Sequence, residues 1–278
     1  MPKPKITAHC LVCNEERWVW YAIMSIINYV DEILVWDTGS TDKTVEIIKT
    51  INSSKIKFRE VGPVDPVTFT LTRNEMLKIT KTPWLLVLDG DEIWTNDACT
   101  ELINNTDKKG YEFSVRSNYN LIGDVYHYQE PLGGRYKIGP FSGHINIRGV
   151  NIQAISGIHF DGTHGQQGVY DASGTLIQNR LPFRAKLAVH KYFHATHLTR
   201  SHDLNFDRLV PKRKIKYKYE LGIEFADDFS YPEVFYLPRP SIVPSPWDKR
   251  TFFYTVNALW QTPLKMIKRR FISPKTGY

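Results

Sequence analysis

Residues 82–94 read TPWLLVLDGDEIW. Trp84 to Leu88 form an unbroken apolar run bounded by Pro83 and Gly90, and three carboxylates, Asp89, Asp91 and Glu92, follow within four positions. The run is too short for an ordinary helix and has the character of a strand covered on both faces inside a parallel sheet. The carboxylates then stand at the strand's carboxyl end, the edge of an open α/β sheet where ligands bind. A calcium-binding EF-hand is excluded, because the sixth and twelfth positions counted from Asp89 are Trp94 and Thr100 in place of Gly and Glu.

Upstream, strands and helices alternate. KITAHCLVC (5–13) predicts a strand, and NEERWVWYAIMSIINYV (14–30) a helix capped by Asn14, with Trp18, Ala22, Ser25, Ile26 and Tyr29 at helical spacing. DEILVWD (31–37) predicts the second strand, TDKTVEIIKTI (41–51) a helix capped by Thr41 or Asp42, KIKFREV (55–61) the third strand and FTLTRNEMLKIT (69–80) the helix before the opening segment. Such alternation implies right-handed crossovers and a doubly wound, mostly parallel sheet. From residue 111 it stops. YEFSVRSNYNLI (111–122), HINIRGVNI (144–152), AISGIHF (154–160) and KLAVHKYFH (186–194) read as strands or loops without intervening helices, so antiparallel strands are expected beside the parallel ones.

The 278 residues, 42% hydrophobic and 23% charged, suit a folded chain and argue against disorder. The opening MPKPKITAHC lacks the apolar core of a secretory leader, and no segment approaches the roughly 20 apolar residues of a membrane-crossing helix, so a cytoplasmic location is expected. Cys10, Cys13 and Cys99 are too few for a disulfide framework; CLVC falls inside or at the end of a predicted strand, which favours buried structural thiols over a zinc or redox motif. The net charge of +7 is uneven, since residues 201–278 carry 14 Lys plus Arg against 8 Asp plus Glu. Nucleic acid, a phosphate-bearing acceptor or an anionic membrane would each answer that excess. Near the end, TPLKMIKRRF (262–271) predicts a short amphipathic helix with Leu264, Ile267 and Phe271 on one side. Packing of that side on the domain, with Lys265, Lys268, Arg269 and Arg270 solvated, is the expectation; peripheral membrane contact is its rival.

Two predicted strands end in acid, ILVWD at Asp37 and LLVLDGD at Asp89 and Asp91. In one parallel sheet both ends share a cleft. Asp89 and Asp91, separated by Gly90, can offer oxygens to a hard divalent cation and to its neighbours, as magnesium and manganese sites with phosphate ligands require.

HCLVCNEERWVWYAIMSIINYVDEILVWDTGSTDKTVEII (9–48) resembles the start of family 2 glycosyltransferases, and TRNEMLKITKTPWLLVLDGDEIW (72–94) resembles that family's Arg-Asn helix followed by its metal-binding Asp-x-Asp strand. The resemblance covers roughly the first hundred residues and thins beyond them. It implies a GT-A fold and transfer of a sugar from a nucleotide-diphosphate donor, UDP-linked by expectation, to an acceptor hydroxyl on a glycan, lipid-linked or protein acceptor; a nucleic-acid partner is not expected. By that resemblance Asp37 bonds the nucleobase, Asn14 and Glu15 line the same pocket, Arg73 reaches towards base or phosphate, Asp89 contacts ribose or metal, and Asp91 ligates Mn2+ or Mg2+. It further implies a histidine ligand, for which His197 is first choice and His194 second, with His190 nearby, and a carboxylate base for an inverting transfer, for which Asp161 is preferred over Glu130 and Asp124. The chain divides accordingly into a nucleotide-sugar-binding half (1–110), an acceptor-side half of the same domain (111–202) and a basic extension (203–278). A sugar nucleotidyltransferase is disfavoured because CNEE replaces a Gly-rich phosphate loop after the first strand. A haloacid-dehalogenase phosphatase would carry its Asp-x-Asp on the first strand. A carbohydrate- or nucleotide-binding module without catalysis leaves the three aspartates unexplained.

Overall fold

The computed structural model describes residues 6–106, 108, 110–163, 167–202 and 218–271, and the backbone of 275 and 276. β1 (Ile6–Val12) and β4 (Trp84–Leu88) are buried along their whole lengths. They pair in parallel, and β2 (Glu32–Asp37) and β3 (Ile56–Glu60) continue the parallel array beyond β1. Three crossover helices join these strands: α1 (Val19–Ile26), α2 (Thr44–Lys49) and α3 (Thr68–Ile79). The order β3-β2-β1-β4 reverses direction between β1 and β4, creating a crevice at their carboxyl ends.

Apolar covering explains why these strands lie centrally. Ala8, Cys10, Leu86 and Leu88 join the same core as Tyr21, Ile23 and Ile26 of α1, whereas Leu11, Leu34 and Trp36 pack with Met76 of α3. Each fully buried isoleucine of α1 contributes about 1.5–3 kcal/mol relative to exposure. Cys10 and Cys99 are buried within the first of these cores, and burial pushes the partly covered Cys13 thiol up to about 12, so all three are uncharged thiols at neutral pH.

After β4 come the two-residue β5 (Glu92–Ile93) and α4 (Asn96–Thr106). The rest of the main sheet is built from β6 (Phe113–Ile122) and β7 (Asp124–Tyr128), then, beyond the β8 (Tyr136–Ile138) and β9 (Phe141–Gly143) hairpin, β10 (Ile145–Asn151). β10 lies antiparallel between β4 and β6, as expected of strands added to a parallel array. A separate hairpin, β11 (His159–Asp161) with β12 (Gly168–Tyr170), precedes β13 (Ala185–Leu187) and β14 (Tyr192–His194), which both run parallel to β6. β15 (Ile223–Glu224) closes the edge on β7. The architecture is the doubly wound α/β sheet the sequence predicts, with antiparallel strands added beside the parallel ones.

Two local expectations are corrected. Asn14 does not cap α1, which begins at Val19; the N–H groups of Trp18 and Val19 bond the Glu15 carbonyl instead, while Asn14 sits at φ 52° in the left-handed region that asparagine tolerates. The C-terminal helix α5 (Phe252–Arg270) is longer than expected and faces the other way. Tyr254 and Ala258 pack on Ile122, Lys265 Nζ donates to the Tyr219 carbonyl (2.9 Å), and Arg269 donates to Glu130 (2.7 Å) and to both oxygens of Glu220 (2.7 and 2.8 Å). Buried Glu220 needs a countercharge, which turns Lys265 and Arg269 inwards. The most basic part of the extension, Lys212 to Lys216, lies outside the described residues.

Candidate active site

Three carboxyl-end loops meet at the crevice. In the loop after β1, Asn14 Oδ1 accepts from the Thr41 N–H (2.8 Å) and its own N–H donates to Ser40 Oγ (2.9 Å), tying this loop to the one after β2. There, Asp37 Oδ2 accepts from the N–H groups of Gly39 and Ser40 (both 3.0 Å), and Oδ1 accepts from Ser40 Oγ (2.5 Å). Asp37 is buried and organises its own turn.

Asp89, Gly90, Asp91 and Glu92 form the third loop. A Cβ on Gly90 would lie 2.9 Å from Glu15 Cγ and 3.0 Å from Val12 Cγ1, so the residue between the aspartates has to be glycine for the loops to approach this closely. Glu15 thereby lies against the acidic loop. Its Oε1 accepts from Arg200 Nη1, which is also 3.5 Å from Asp91 Oδ2. Arg73 Nη2 lies 3.4 Å from Asp89 Oδ1, while Arg148 Nη2 donates to Asp89 Oδ2 (2.8 Å) and to Glu92 Oε1.

The histidine comes from the other end of the chain. β14 pairs with both β5 and β6, setting His194 opposite Glu92 and Asn120. Its Nε2 is 3.4 Å from Asp91 Oδ1, and ligand atoms of Asp89, Glu92 and His194 all fall within 4.8 Å of one another. His197 is buried with Nε2 3.5 Å from Lys218 Nζ, and His190 is 4.0 Å from Asp97 on α4. The structure therefore brings His194 to the acidic loop and gives His197 and His190 other neighbours.

Asp161 ends β11 with an exposed side chain whose Oδ1 accepts from the Gly162 N–H (2.6 Å). The strand is held against α3: Asn74 exchanges hydrogen bonds with Phe160 (2.9 and 2.8 Å), and the Arg73 guanidinium lies 5.7 Å from the Phe160 ring. Of the rival bases, Asp124 accepts from His127 (2.6 Å) and from the Arg250 N–H (3.1 Å), and Glu130 is paired with Arg269.

Charge explains the cluster's composition. Burial opposes ionisation of Asp89, but Arg148 and then Arg73 outweigh it and hold its carboxyl below the ordinary value. Glu92 is fully buried, and that burial pushes its carboxyl up to about 7 against the pull of Arg148. The donor set, carboxylates with one imidazole, is chemically suited to Mn2+ or Mg2+. Arg73 adds a cationic group whose Nε and Nη1 are buried and make no hydrogen bond among the described residues. Sequence reasoning gave no role to Glu92, Arg148 or Arg200. For Arg148 a signal existed: an arginine between Ile147 and Val150 in a strand-like segment has to find a buried partner.

The family model for glycosyl transferase family 2 matches residues 10–160, which is more than half the chain and contains the whole acidic loop. The chain belongs to glycosyl transferase family 2. Among curated relatives, this family 2 chain is 35% identical over 88 residues to an uncharacterized glycosyltransferase of Rickettsia bellii, covering 32% of this chain and 28% of that one. It is 28% identical over 95 residues to the SPbeta prophage-derived glycosyltransferase SunS of Bacillus subtilis, covering 34% and 22%. The matched segment thus spans less than a third of either relative. Among solved structures, S. aureus TarS 1–349 in complex with UDP-GlcNAc is similar at a TM-score of 0.49 and 14% identity, covering 76% of the family 2 chain and 66% of TarS. Glucosyl-3-phosphoglycerate synthase of Mycobacterium tuberculosis, in complex with Mn2+, UDP and phosphoglyceric acid, gives 0.32 and 23%, covering 42% and 43%.

Proposed function

We propose that this family 2 chain transfers a glycosyl group from a nucleotide-diphosphate sugar, UDP-linked, to an acceptor hydroxyl, with inversion at the anomeric carbon and with help from Mn2+ or Mg2+. The observation that carries the reading is the meeting, at one sheet edge, of Asp89, Asp91, Glu92 and His194 with the buried guanidinium of Arg73. Asp89, Asp91 and His194 would hold the cation, which when bound supplies positive charge to the diphosphate leaving group. Arg73 is the chain's own contribution to that charge, its buried Nε and Nη1 being donors for a phosphate oxygen. Asn14 and Asp37 hold the two loops that would flank the nucleotide, and Asp37 reaches the base through the turn it organises.

Asp161 acts as the base. Its exposed carboxylate takes the acceptor hydroxyl's proton as that oxygen attacks the anomeric carbon from the side opposite the departing diphosphate, which inverts the centre. The acceptor, a glycan, lipid-linked or protein hydroxyl, lies on that side. Calorimetry with UDP in the presence and absence of Mn2+, together with a screen of nucleotide sugars for slow hydrolysis, tests the reading. UDP binding strengthened by Mn2+, donor turnover lost in Asp91→Asn, and acceptor transfer impaired more than donor binding in Asp161→Asn are expected. Near-normal turnover in Asp91→Asn would overturn the metal assignment.

A further inference from the structure

α5 presents an apolar face to solvent. On a helical projection Phe252, Val256, Leu259, Trp260, Ile267 and the intervening Pro263 share one side, and all are exposed; Phe252 is 85% and Trp260 59% accessible. The side that touches the body carries only Tyr254 and Ala258 as apolar anchors in its first half and, in its second, Lys265 and Arg269 bonded to Tyr219, Glu130 and Glu220. This reverses the usual surface helix, whose apolar stripe faces the core. The reversal is held by ion pairs and by Thr262, whose Oγ1 accepts from the Leu221 N–H (2.9 Å), so α5 cannot bury the stripe on its own domain without breaking them. The stripe runs along a helix about 28 Å long, which is extensive for an apolar surface.

We propose that this face seats on the surface of an anionic lipid bilayer, with α5 lying in the interfacial plane. The argument for lipid is charge. Lys268 and Arg270 are exposed at the helix's C-terminal end, and the last 78 residues carry a balance of +6. Arg270 lies on the same side of the helix as the stripe, so basic charge borders the apolar face. A second copy of this chain would bring a like net charge to the face, whereas acidic headgroups answer it. Trp260, an aromatic on an exposed apolar face, suits the headgroup level. Among the described residues no helix is long and apolar enough to cross a membrane, so the contact is peripheral.

Flotation of the full chain with vesicles tests this. Vesicles of phosphatidylcholine with phosphatidylglycerol should carry the protein at low salt, phosphatidylcholine alone should not, and 0.5 M NaCl should reduce attachment. A Trp260→Asp/Ile267→Asp variant, altered only at exposed positions, should lose on the order of tenfold in partitioning while keeping the wild-type thermal midpoint and UDP affinity. The proposal is overturned if the protein stays soluble with anionic vesicles at low salt, or if the double variant floats like wild type. It is equally overturned if sedimentation shows a wild-type dimer that this variant dissolves and no vesicle attachment occurs.

Discussion

Arg148→Met removes the cation that links Asp89 to Glu92. The guanidinium is buried, donates through Nη2 to both carboxylates, and its Nε donates to Tyr192 Oη at 3.3 Å. Without it, Asp89 keeps Arg73 at 3.4 Å, and fully buried Glu92 keeps a 3.4 Å hydrogen bond from the Asp89 N–H. Breaking a buried pair by removing one partner costs about 3–5 kcal/mol. The lower end, about 3 kcal/mol, is expected because Asp89 retains its second arginine and Glu92 can take up a proton. Urea unfolding of Arg148→Met, Glu92→Gln and the double variant measures the effect and its coupling. Glu92→Gln alone should cost about 1–2 kcal/mol, and the double variant should be more stable than the sum of the singles predicts, by at least about 1.5 kcal/mol. A loss under about 1 kcal/mol for Arg148→Met, or strict additivity, would refute this account of how the acidic loop is balanced.

Gly90→Ala places a methyl group against Glu15 and Val12, so a stability loss of about 1–3 kcal/mol by thermal unfolding is expected, with weaker Mn2+-dependent UDP binding because the Glu15–Arg200–Asp91 chain shifts. His9 is buried in β1 with Nε2–H donating to Thr80 Oγ1 (2.6 Å), and burial, aided by Arg73, lowers its imidazole to about 3. A lowered histidine favours the neutral form in the fold, so its contribution is fully present above pH 6.5 and is lost as pH falls towards 3, at about 1.4 kcal/mol per pH unit. Stability curves between pH 7 and 4.5 should therefore be flatter for His9→Gln than for wild type.

The sheet was legible because its cues are local. Apolar runs of strand length alternate with helical spacing through residue 93, and an acid at the end of such a run is readable without knowing any contact. The electrostatic partners were not legible in the same way. Arg148 reaches Asp89 only because β10 pairs with β4, and Arg200 reaches Glu15 across 185 positions. That His194 meets the acidic loop depends on β14 pairing with the two-residue β5, a register no pattern in the histidine-rich segment announces. For α5 the periodicity showed which residues share a side; which side meets the body was decided by Glu130 and Glu220 on other segments.

The pairing of β4 with β10 and of β5 with β14 also orders events in time. During synthesis Glu15, Asp89, Asp91 and Glu92 are all present before Arg148, His194 and Arg200 have been made. Of the three arginines that neutralise the acids, only Arg73 accompanies them. A nascent chain ending near residue 110 therefore holds a sheet edge whose carboxylates must stay hydrated or take up protons. That strand edge is covered only once β10 has been made, and His194 and Arg200 follow later still, so during synthesis the acidic crevice gains its last residues after the parallel strands that support it.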